Sequence, residues 1–353
     1  MGTARFVYNK ALDYIKAEKI GYVKANGDLT TRFITQETRA GVANSEMPEW
    51  AFDTPKDIRK GALRDLEKAF KTCYSQLKSC SIQKFQMGYR SRKKTSSLEI
   101  PSKALGMKDG KLKIYPKYLE EPIKISKREK KKEIVLDKTA RLQYSRGQWF
   151  LVVPYTKKTK PREPPVKECC ALDPGVRTFQ TLYAPEEVYK FQQNRELHKK
   201  LKARLDLLQS LRDQKRITRA SYTKSSQRIY RKVENLTTEL HYKTIQYLKQ
   251  YKCVLLPSFD SQEMVGGKRL HRKTKRELLG LQHYKFKTRL QHVMALDEYT
   301  HVEIVNEAYT SKTCTACGVL NQPSTDIYTC KACGLIIDRD INGARNILLK
   351  HLK

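Results

Sequence analysis

The sequence lacks several features that would place it in common protein classes. No window contains the roughly 18 consecutive apolar residues that a membrane-spanning helix requires, so an integral membrane protein is excluded. The first ten residues contain no apolar signal core. The nine cysteines are odd in number and five of them are scattered, which argues against a secreted disulfide framework. We therefore expect an intracellular protein with no membrane among its partners.

Acidic residues are scarce relative to basic ones. The chain of 353 residues has 71 Lys and Arg against 37 Asp and Glu, a formal net charge of +34. Hydrophobic residues make up 39% of the chain, which is enough to bury substantial cores. A folded body with so much excess charge repels itself unless a polyanion neutralises it. Nucleic acid is therefore the expected partner.

The composition changes along the chain and predicts a multi-domain α+β protein. Residues 1–84 have a mainly helical pattern, with an apolar stripe that runs from Ile58 to Leu77. Residues 85–160 contain short β-like runs separated by Gly, Pro, Asp and Ser, which predict a small β-barrel. The basic, proline-rich stretch 156–168 is typical of a linker.

An α/β pattern follows the linker. A buried strand runs into Asp173-Pro-Gly175, and residues 190–250 predict two long basic helices. The basic run 127–132, before the linker, has three interpretations of equal weight: a nuclear-import signal, a nucleic-acid contact or an exposed loop.

Four cysteines near the C-terminus have the spacing of a metal site. Each Cys-x-x-Cys pair forms a tight turn that brings two thiolates onto one ion, and two such turns complete a tetrahedron. A glycine follows each pair, and the twelve residues between the pairs suit a hairpin. No histidine or vacant position is present in the pattern, so we expect one structural Zn²⁺ in a zinc ribbon at residues 313–335. Its ligands are Cys314, Cys317, Cys330 and Cys333.

Three acids lie on three separated segments. Asp173 ends a predicted strand, Glu307 follows another, and Asp340 opens the last predicted helix. Each acid taken singly is more typical of a turn, a solvated side chain or a helix cap than of a catalytic group. Together they are the hard oxygen ligands that two Mg²⁺ ions need in phosphodiester hydrolysis.

The ordered combination of these motifs resembles the TnpB family of transposon-encoded proteins, and most closely its eukaryotic and viral relatives called Fanzor. The resemblance implies an RNA-guided nuclease of the RuvC type with an RNase H-like α/β fold. It further implies a REC-like helical module at 1–84, a wedge-like barrel at 85–160, and a RuvC-like domain at 167–312 that resumes at 336–353 after the ribbon. The motifs that carry the resemblance are residues 171–177, 307–318, 330–334 and 338–347.

The resemblance also implies roles for the acids. Asp173 corresponds to the first RuvC acid and Asp340 to the third, with Asp338 as the alternative. The middle acid of the commoner TnpB pattern is missing after the strand that ends at residue 256, where the sequence reads Pro-Ser-Phe. Glu307 takes the middle position in this interpretation, and Glu303 and Glu263 are its rivals.

The expected function is cleavage of target DNA at a single RuvC site with two catalytic Mg²⁺ ions. The expected partners are a guide RNA of the omega type and double-stranded DNA with a short adjacent motif, with one protein monomer per RNA. Two alternatives stay open: RNA-guided DNA binding without cleavage, and a DNA transposase that acts without RNA. The expected location is the nucleus if the source is a eukaryote or its virus, and otherwise the cytoplasm.

Overall fold

The computed structural model describes residues 1–17, 47–92, 96–108, 111–119, 121–124, 135–156, 162–267, 270–322 and 325–352. The chain divides into two compact units, Met1–Lys157 and Lys158–Lys353. The division falls inside the stretch predicted as a linker. The basic run 127–132 lies outside the described residues. None of the described helices is both long and apolar enough to cross a membrane.

The first unit begins with helices, as predicted. Helix α1 spans Gly2–Ala17, a 3₁₀ turn spans Glu49–Ala51, and helix α2 spans Lys56–Lys78. The predicted apolar stripe of α2 is buried through its first half against α1. The shared core contains Val7, Leu12, Ile58, Leu66 and Phe70.

The β-rich part of this unit corrects the predicted barrel. Its strands are β1 Ser96–Ile100, β2 Leu105–Lys108, β3 Lys111–Ile114, β4 Ile123–Lys124, β5 Ala140–Ser145 and β6 Gln148–Val152. In the part of the chain that the structure describes, they form two three-stranded antiparallel sheets, β1-β5-β6 and β2-β3-β4, and no closed barrel. Pro101 and a short 3₁₀ turn interrupt the chain between β1 and β2. The two sheets share a small apolar core instead of continuing one ladder.

The second unit is built on a mixed five-stranded sheet. Its strands, in spatial order, are β11 His301–Val305, β10 Tyr251–Pro257, β7 Lys167–Pro174, β8 Gln180–Tyr183 and β9 Val188–Phe191. Strands β7, β8 and β9 form an antiparallel meander, whereas β10 and β11 run parallel to β7.

The described helices of this unit are α3 Arg195–Asp213, α4 Arg219–Leu248, α5 Ser261–Gly266, α6 Arg272–Leu281, α7 His283–Met294 and α8 Arg339–His351. Four of them, α4, α6, α7 and α8, pack on the two faces of the sheet. Alternate residues of β7 explain the layering, because successive strand side chains point to opposite faces. Cys170 and Leu172 pack with residues of α4, α6 and α7, whereas Ala171 packs with Ile347 and Leu348 of α8.

The two long basic helices predicted for residues 190–250 are confirmed as α3 and α4. They pack through a small core that contains Leu201, Leu205 and Ile229. The last two strands, β12 Ile327–Thr329 and β13 Ile336–Asp338, form an antiparallel pair beside the four cysteines.

Candidate active site and metal centre

Asp173 lies near the end of the central strand β7, opposite Thr181 of β8. The chain turns sharply after it. A Cβ atom on Gly175 would lie 2.8 Å from the backbone oxygen of Thr178, so this turn requires glycine. His283, at the start of α7, hydrogen-bonds the Gly175 carbonyl through Nε2 at 3.1 Å. Strand and turn together fix the position of the Asp173 carboxyl group.

Helix α8 passes close to that carboxyl group at Gly343. A Cβ atom on Gly343 would lie 2.6 Å from Oδ2 of Asp173, which is closer than any real Cβ contact. Glycine therefore leaves the Asp173 carboxyl group room to lie against the helix, and any larger residue would displace it. Asp340 lies one turn earlier on the same helix.

Asp338 is the N-cap residue of α8. Its Oδ1 accepts hydrogen bonds from the backbone N–H groups of Asp340 and Ile341, at 3.0 and 3.2 Å. Its Oδ2 pairs with Lys190 Nζ at 2.6 Å. Although burial opposes it, these bonds lower the pKa of Asp338. Both oxygens have protein partners, which favours Asp340 over Asp338 as the third acid.

Glu307 follows strand β11 on a short turn. The backbone N–H and the hydroxyl group of Thr310 both donate to the Glu307 carbonyl, at 3.2 and 2.8 Å. Tyr309 closes the turn with a φ of 66°, in the left-handed region. Burial raises the pKa of the Glu307 carboxyl group.

The three acids share one electrostatic environment. Burial, followed by the charges of Asp340 and Glu307, raises the pKa of Asp173 to about 8, against the opposing effect of Arg339. Burial and the charge of Asp338 raise the pKa of Asp340. Crowded, partly buried carboxylates repel one another, and a divalent cation would relieve that repulsion.

The acids are not packed as the ligands of a single small ion. Across the described ranges, two groups of three or more side chains have ligand atoms within 4.8 Å of one another: Cys314, Cys317, Cys330 and Cys333, and Cys253 with His301 and Glu303. The set of Asp173, Glu307 and Asp340 does not meet that limit. Carboxylate oxygens from separate elements are the ligands that hard divalent cations prefer.

The rivals for the middle position lie in different surroundings. Glu303 is on β11, where Oε1 is 3.2 Å from His301 Nε2 and Oε2 is 2.8 Å from His351 Nε2. Glu263 is an exposed residue of the short helix α5, in the first turn after the capping residue Asp260. Neither contributes to the pKa shift of Asp173, to which Glu307 does contribute.

The four cysteines form a compact thiol cluster. The Sγ atoms of Cys314 and Cys333 are 3.6 Å apart, as are those of Cys317 and Cys330. Four sulfurs around Zn²⁺ at about 2.3 Å would be separated by about 3.8 Å, so the cluster fits a tetrahedral zinc site. A backbone hydrogen bond at Cys333 lowers the pKa of Cys330 to about 6, whereas the pKa values of Cys317 and Cys333, against backbone hydrogen bonds that lower them, are raised by contacts with the other thiols. Cys330 is therefore the first of these three thiols to lose its proton.

Each cysteine pair has the same turn. The N–H of Gly318 donates to the carbonyl of Cys314 at 3.0 Å, and the N–H of Gly334 donates to that of Cys330 at 3.0 Å. Their φ angles of 77° and 74° lie in the left-handed region, where glycine is favoured.

Helix α8 also hydrogen-bonds the backbone on both sides of Cys314, the first cysteine of this cluster. Asn342, which is fully buried, donates to the Thr313 carbonyl at 2.8 Å and accepts from the N–H of Thr315 at 3.3 Å. Asn346 donates to the carbonyls of Thr310 and Thr313, at 2.8 and 2.7 Å. One helix therefore carries Asp340, contacts Asp173 and anchors the first cysteine turn.

Four residues that shape the site were not predicted from the sequence: Gly343, Asn342, Asn346 and His283. The first three lie within the motif at 338–347. The sequence therefore marked these positions as part of the family pattern but did not indicate which contacts they make. His283 had no local signal, because its role depends on a contact with a distant turn.

Comparison with known proteins gives one family profile and several relatives. A family profile described as "Cas12f1-like, TNB domain" matches residues 283–347. The chain is 30% identical to "Putative transposase A625R" of Paramecium bursaria Chlorella virus 1, over 99% of this chain and 82% of that protein. It is 25% identical to "TnpB-like protein L770" of Acanthamoeba polyphaga mimivirus, over 98% and 68%. It is 24% identical to a "Putative RNA-guided DNA endonuclease" of Streptomyces pristinaespiralis, over 98% and 83%.

Proposed function

This chain belongs to the TnpB family, and from that premise we propose that it is an RNA-guided, Mg²⁺-dependent DNA endonuclease with a single RuvC-type site. One observation carries the proposal. Three acids from β7, the turn after β11 and the first turn of α8 converge closely enough for Asp340 and Glu307 to raise the pKa of Asp173. The mixed sheet, with its antiparallel meander and two parallel strands, supports an RNase H-like domain.

Asp173, Glu307 and Asp340 are the proposed ligands of two Mg²⁺ ions. When bound, these ions supply the Lewis acidity that phosphodiester hydrolysis requires. The chain contributes rigidity, because the Asp173 carboxyl group is held between the Gly175 turn and the backbone of Gly343. Arg339, whose charge opposes the rise in the pKa of Asp173, adds a cation beside the place where a phosphate would bind.

The basic surface supports the nucleic-acid partners. The two long helices α3 and α4 carry exposed cations on a hairpin with its own small core. Such groups contact phosphates without reading sequence, and base pairing with a guide RNA would supply specificity. We propose that the modules at 1–84 and 85–160 bind the guide RNA and the short duplex motif. The exposed cations of the hairpin include Lys199, Lys200, Arg204, Lys224, Arg228 and Lys232.

The test begins with the RNA. The full chain, purified from cells after a high-salt wash, should retain a discrete non-coding RNA that can be sequenced. The reconstituted complex should then cut a plasmid that matches this RNA, only when Mg²⁺ is present. Cleavage without RNA would support a transposase, and RNA-dependent binding without cleavage would support a binding protein.

Substitution of the candidate middle acids separates them. Glu307→Gln is expected to lower the cleavage rate by about a hundredfold or more, because a charged metal ligand becomes a neutral amide of the same shape. Binding of RNA and target DNA should be retained. Filter binding measures this binding, and single-turnover cleavage measures the rate. Glu263→Gln, at an exposed position on α5, is the matched control and should cut normally. If Glu303→Gln or Glu263→Gln lost cleavage while Glu307→Gln kept it, the middle acid would be the residue whose substitution abolished cleavage.

We also propose that the cysteine cluster binds one structural Zn²⁺. Cys330→Ser is expected to lower the zinc content by one ion per chain, because the remaining three thiols no longer complete the tetrahedron. Metal content is measured by mass spectrometry, and limited proteolysis should show cleavage within residues 313–335. Cys80→Ser, an exposed cysteine outside the cluster, should leave both readouts unchanged. Equal zinc in both variants would contradict the assignment.

A further inference from the structure

A second group of metal-ligating side chains lies on the α8 face of the same sheet. Cys169 of β7, Cys253 of β10 and His301 of β11 are register partners, so they form one row across three adjacent strands. Glu303 is two residues beyond His301 and therefore shares its face. Asp173 lies four residues further along β7 than Cys169, about 13 Å at a strand rise of about 3.3 Å per residue. The row is therefore separate from the proposed nuclease site.

Three of these side chains are within reach of one ion. The sulfur of Cys253, a ring nitrogen of His301 and a carboxylate oxygen of Glu303 all lie within 4.8 Å of one another. The nitrogen of His301 is 3.2 Å from Glu303 Oε1. The proposed nuclease mechanism assigns its metal ligands elsewhere, to Asp173, Glu307 and Asp340.

The surroundings resemble those of a built metal site. His351, in the last turn of α8, places Nε2 2.8 Å from Glu303 Oε2, the oxygen that faces away from His301. A close contact between an imidazole and a carboxylate orients a ligating carboxylate from outside the coordination sphere. On the other side, Cys169 is the register partner of Cys253 on the neighbouring strand β7. His351 and Cys169 thus place side chains from two further elements, α8 and β7, beside the three ligands.

The donor set selects the kind of ion. Sulfur, imidazole nitrogen and carboxylate oxygen together suit a borderline-soft divalent ion, of which Zn²⁺ is the common example, whereas Mg²⁺ and Ca²⁺ prefer oxygen alone. The His301 and Glu303 side chains are 61% and 41% exposed, so an ion can reach them from solvent. Three protein ligands leave a fourth position for water or an external ligand.

We propose that Cys253, His301 and Glu303 form a second zinc site, which has an open coordination position and in which His351 orients Glu303. The site links the edge strand β11 to the last turn of α8, the helix whose first turn carries Asp340. It also gives Glu303 a role outside the nuclease acid set. The inference is independent of the proposed endonuclease activity, because it rests on a different group of side chains.

Zinc stoichiometry tests the proposal. The full chain, purified with a non-chelating reductant and equilibrated with Zn²⁺ and a weak competing chelator, should hold two zinc ions per chain. Cys253→Ser/His301→Ala should hold one, and Cys317→Ser/Cys333→Ser should also hold one. The matched control Cys80→Ser/His292→Ala removes an exposed cysteine and an exposed histidine from elsewhere and should hold two. With Co²⁺ as the probe, the Cys253 variant should lose only part of the thiolate-to-cobalt absorption.

The outcomes separate this site from the ribbon. One zinc ion in the wild type that disappears in Cys317→Ser/Cys333→Ser would overturn the second site and leave the ribbon intact. Two ions retained in Cys253→Ser/His301→Ala would also overturn it. A disulfide that joins Cys169 to Cys253 under reducing conditions, with no second ion, would replace the metal site with a redox pair and overturn the proposal. An unchanged zinc count in the ribbon variant would contradict the ribbon assignment alone.

Discussion

Replacing Asp173 by Asn is expected to abolish DNA cleavage and, in the absence of added Mg²⁺, to raise the temperature at which the chain unfolds. The loss of activity follows from the removal of a charged group at the proposed metal site, and we expect it to reach about a thousandfold or more. Binding of the guide RNA and target DNA should persist, because the basic surfaces are unchanged.

The gain in stability follows from the sign of the pKa shift. Burial and the neighbouring acids raise the pKa of Asp173 to about 8 in the folded chain, far above that of an unfolded aspartate. Between about pH 4 and pH 8 the unfolded chain therefore ionises this group more readily than the folded chain does. The resulting cost to folding grows as the pH rises through this window and is fully present above it. Asparagine has no such cost, so the stabilisation by Asp173→Asn should be larger at pH 8 than at pH 5.

Asp297 provides a control of opposite sign. Burial opposes its charge, but hydrogen bonds from Arg162 and Lys249 lower the pKa of Asp297 to about 2. The group is nearly buried and contributes stability when ionised. Asp297→Asn should therefore unfold at a lower temperature at pH 7, while Asp173→Asn unfolds at a higher one. If Asp173→Asn unfolded earlier than the wild type at pH 8, the electrostatic account of the acid cluster would be wrong.

The parts of the site that could be predicted from sequence are those with local signals. A strand that ends in Asp-Pro-Gly positions Asp173, and two Cys-x-x-Cys-Gly turns have the same hydrogen-bond pattern wherever they occur. The approach of α8 to Asp173 could not be predicted in this way, because Gly343 and Asp173 are far apart in the chain and only the packed sheet brings them together. Gly343 lies in a helix at an ordinary φ, so nothing local distinguishes it from a helix-weakening residue.

The predicted barrel was wrong for the same reason, because strand pairing also depends on contacts between distant parts of the chain. Short apolar runs indicate that strands are present, but they do not determine which strands pair. Strand β1 pairs with β5 and not with its neighbour β2, because Pro101 and the 3₁₀ turn redirect the chain between them. The two cysteines of the second metal-ligating row, Cys169 and Cys253, likewise meet only through strand register.

Gly343→Ala is expected to lower the cleavage rate by about a hundredfold while leaving the chain folded. Alanine favours a helix over glycine by about 1 kcal/mol, so propensity alone predicts a more stable protein. The new Cβ, however, would lie 2.6 Å from Asp173 Oδ2 and must displace it. The displaced atom is the end of a side chain, which can rotate away at little cost to folding. A displacement of about 1 Å from the reacting geometry is enough to cost about a hundredfold in rate.

Gly280→Ala is the matched control, because Gly280 is also helical and lies in the same domain, and a Cβ atom added to it would meet no other atom within 4 Å. It should gain the same helix propensity and cut DNA at the wild-type rate. Single-turnover cleavage with saturating guide RNA, together with thermal unfolding, separates the two variants. Gly343→Ala with normal cleavage would mean that the Asp173 carboxyl group need not occupy this position, and the proposed role of α8 in aligning the acids would be wrong. Gly343→Ala that loses cleavage but keeps its unfolding temperature would show that this glycine serves the reaction and not the stability of the fold.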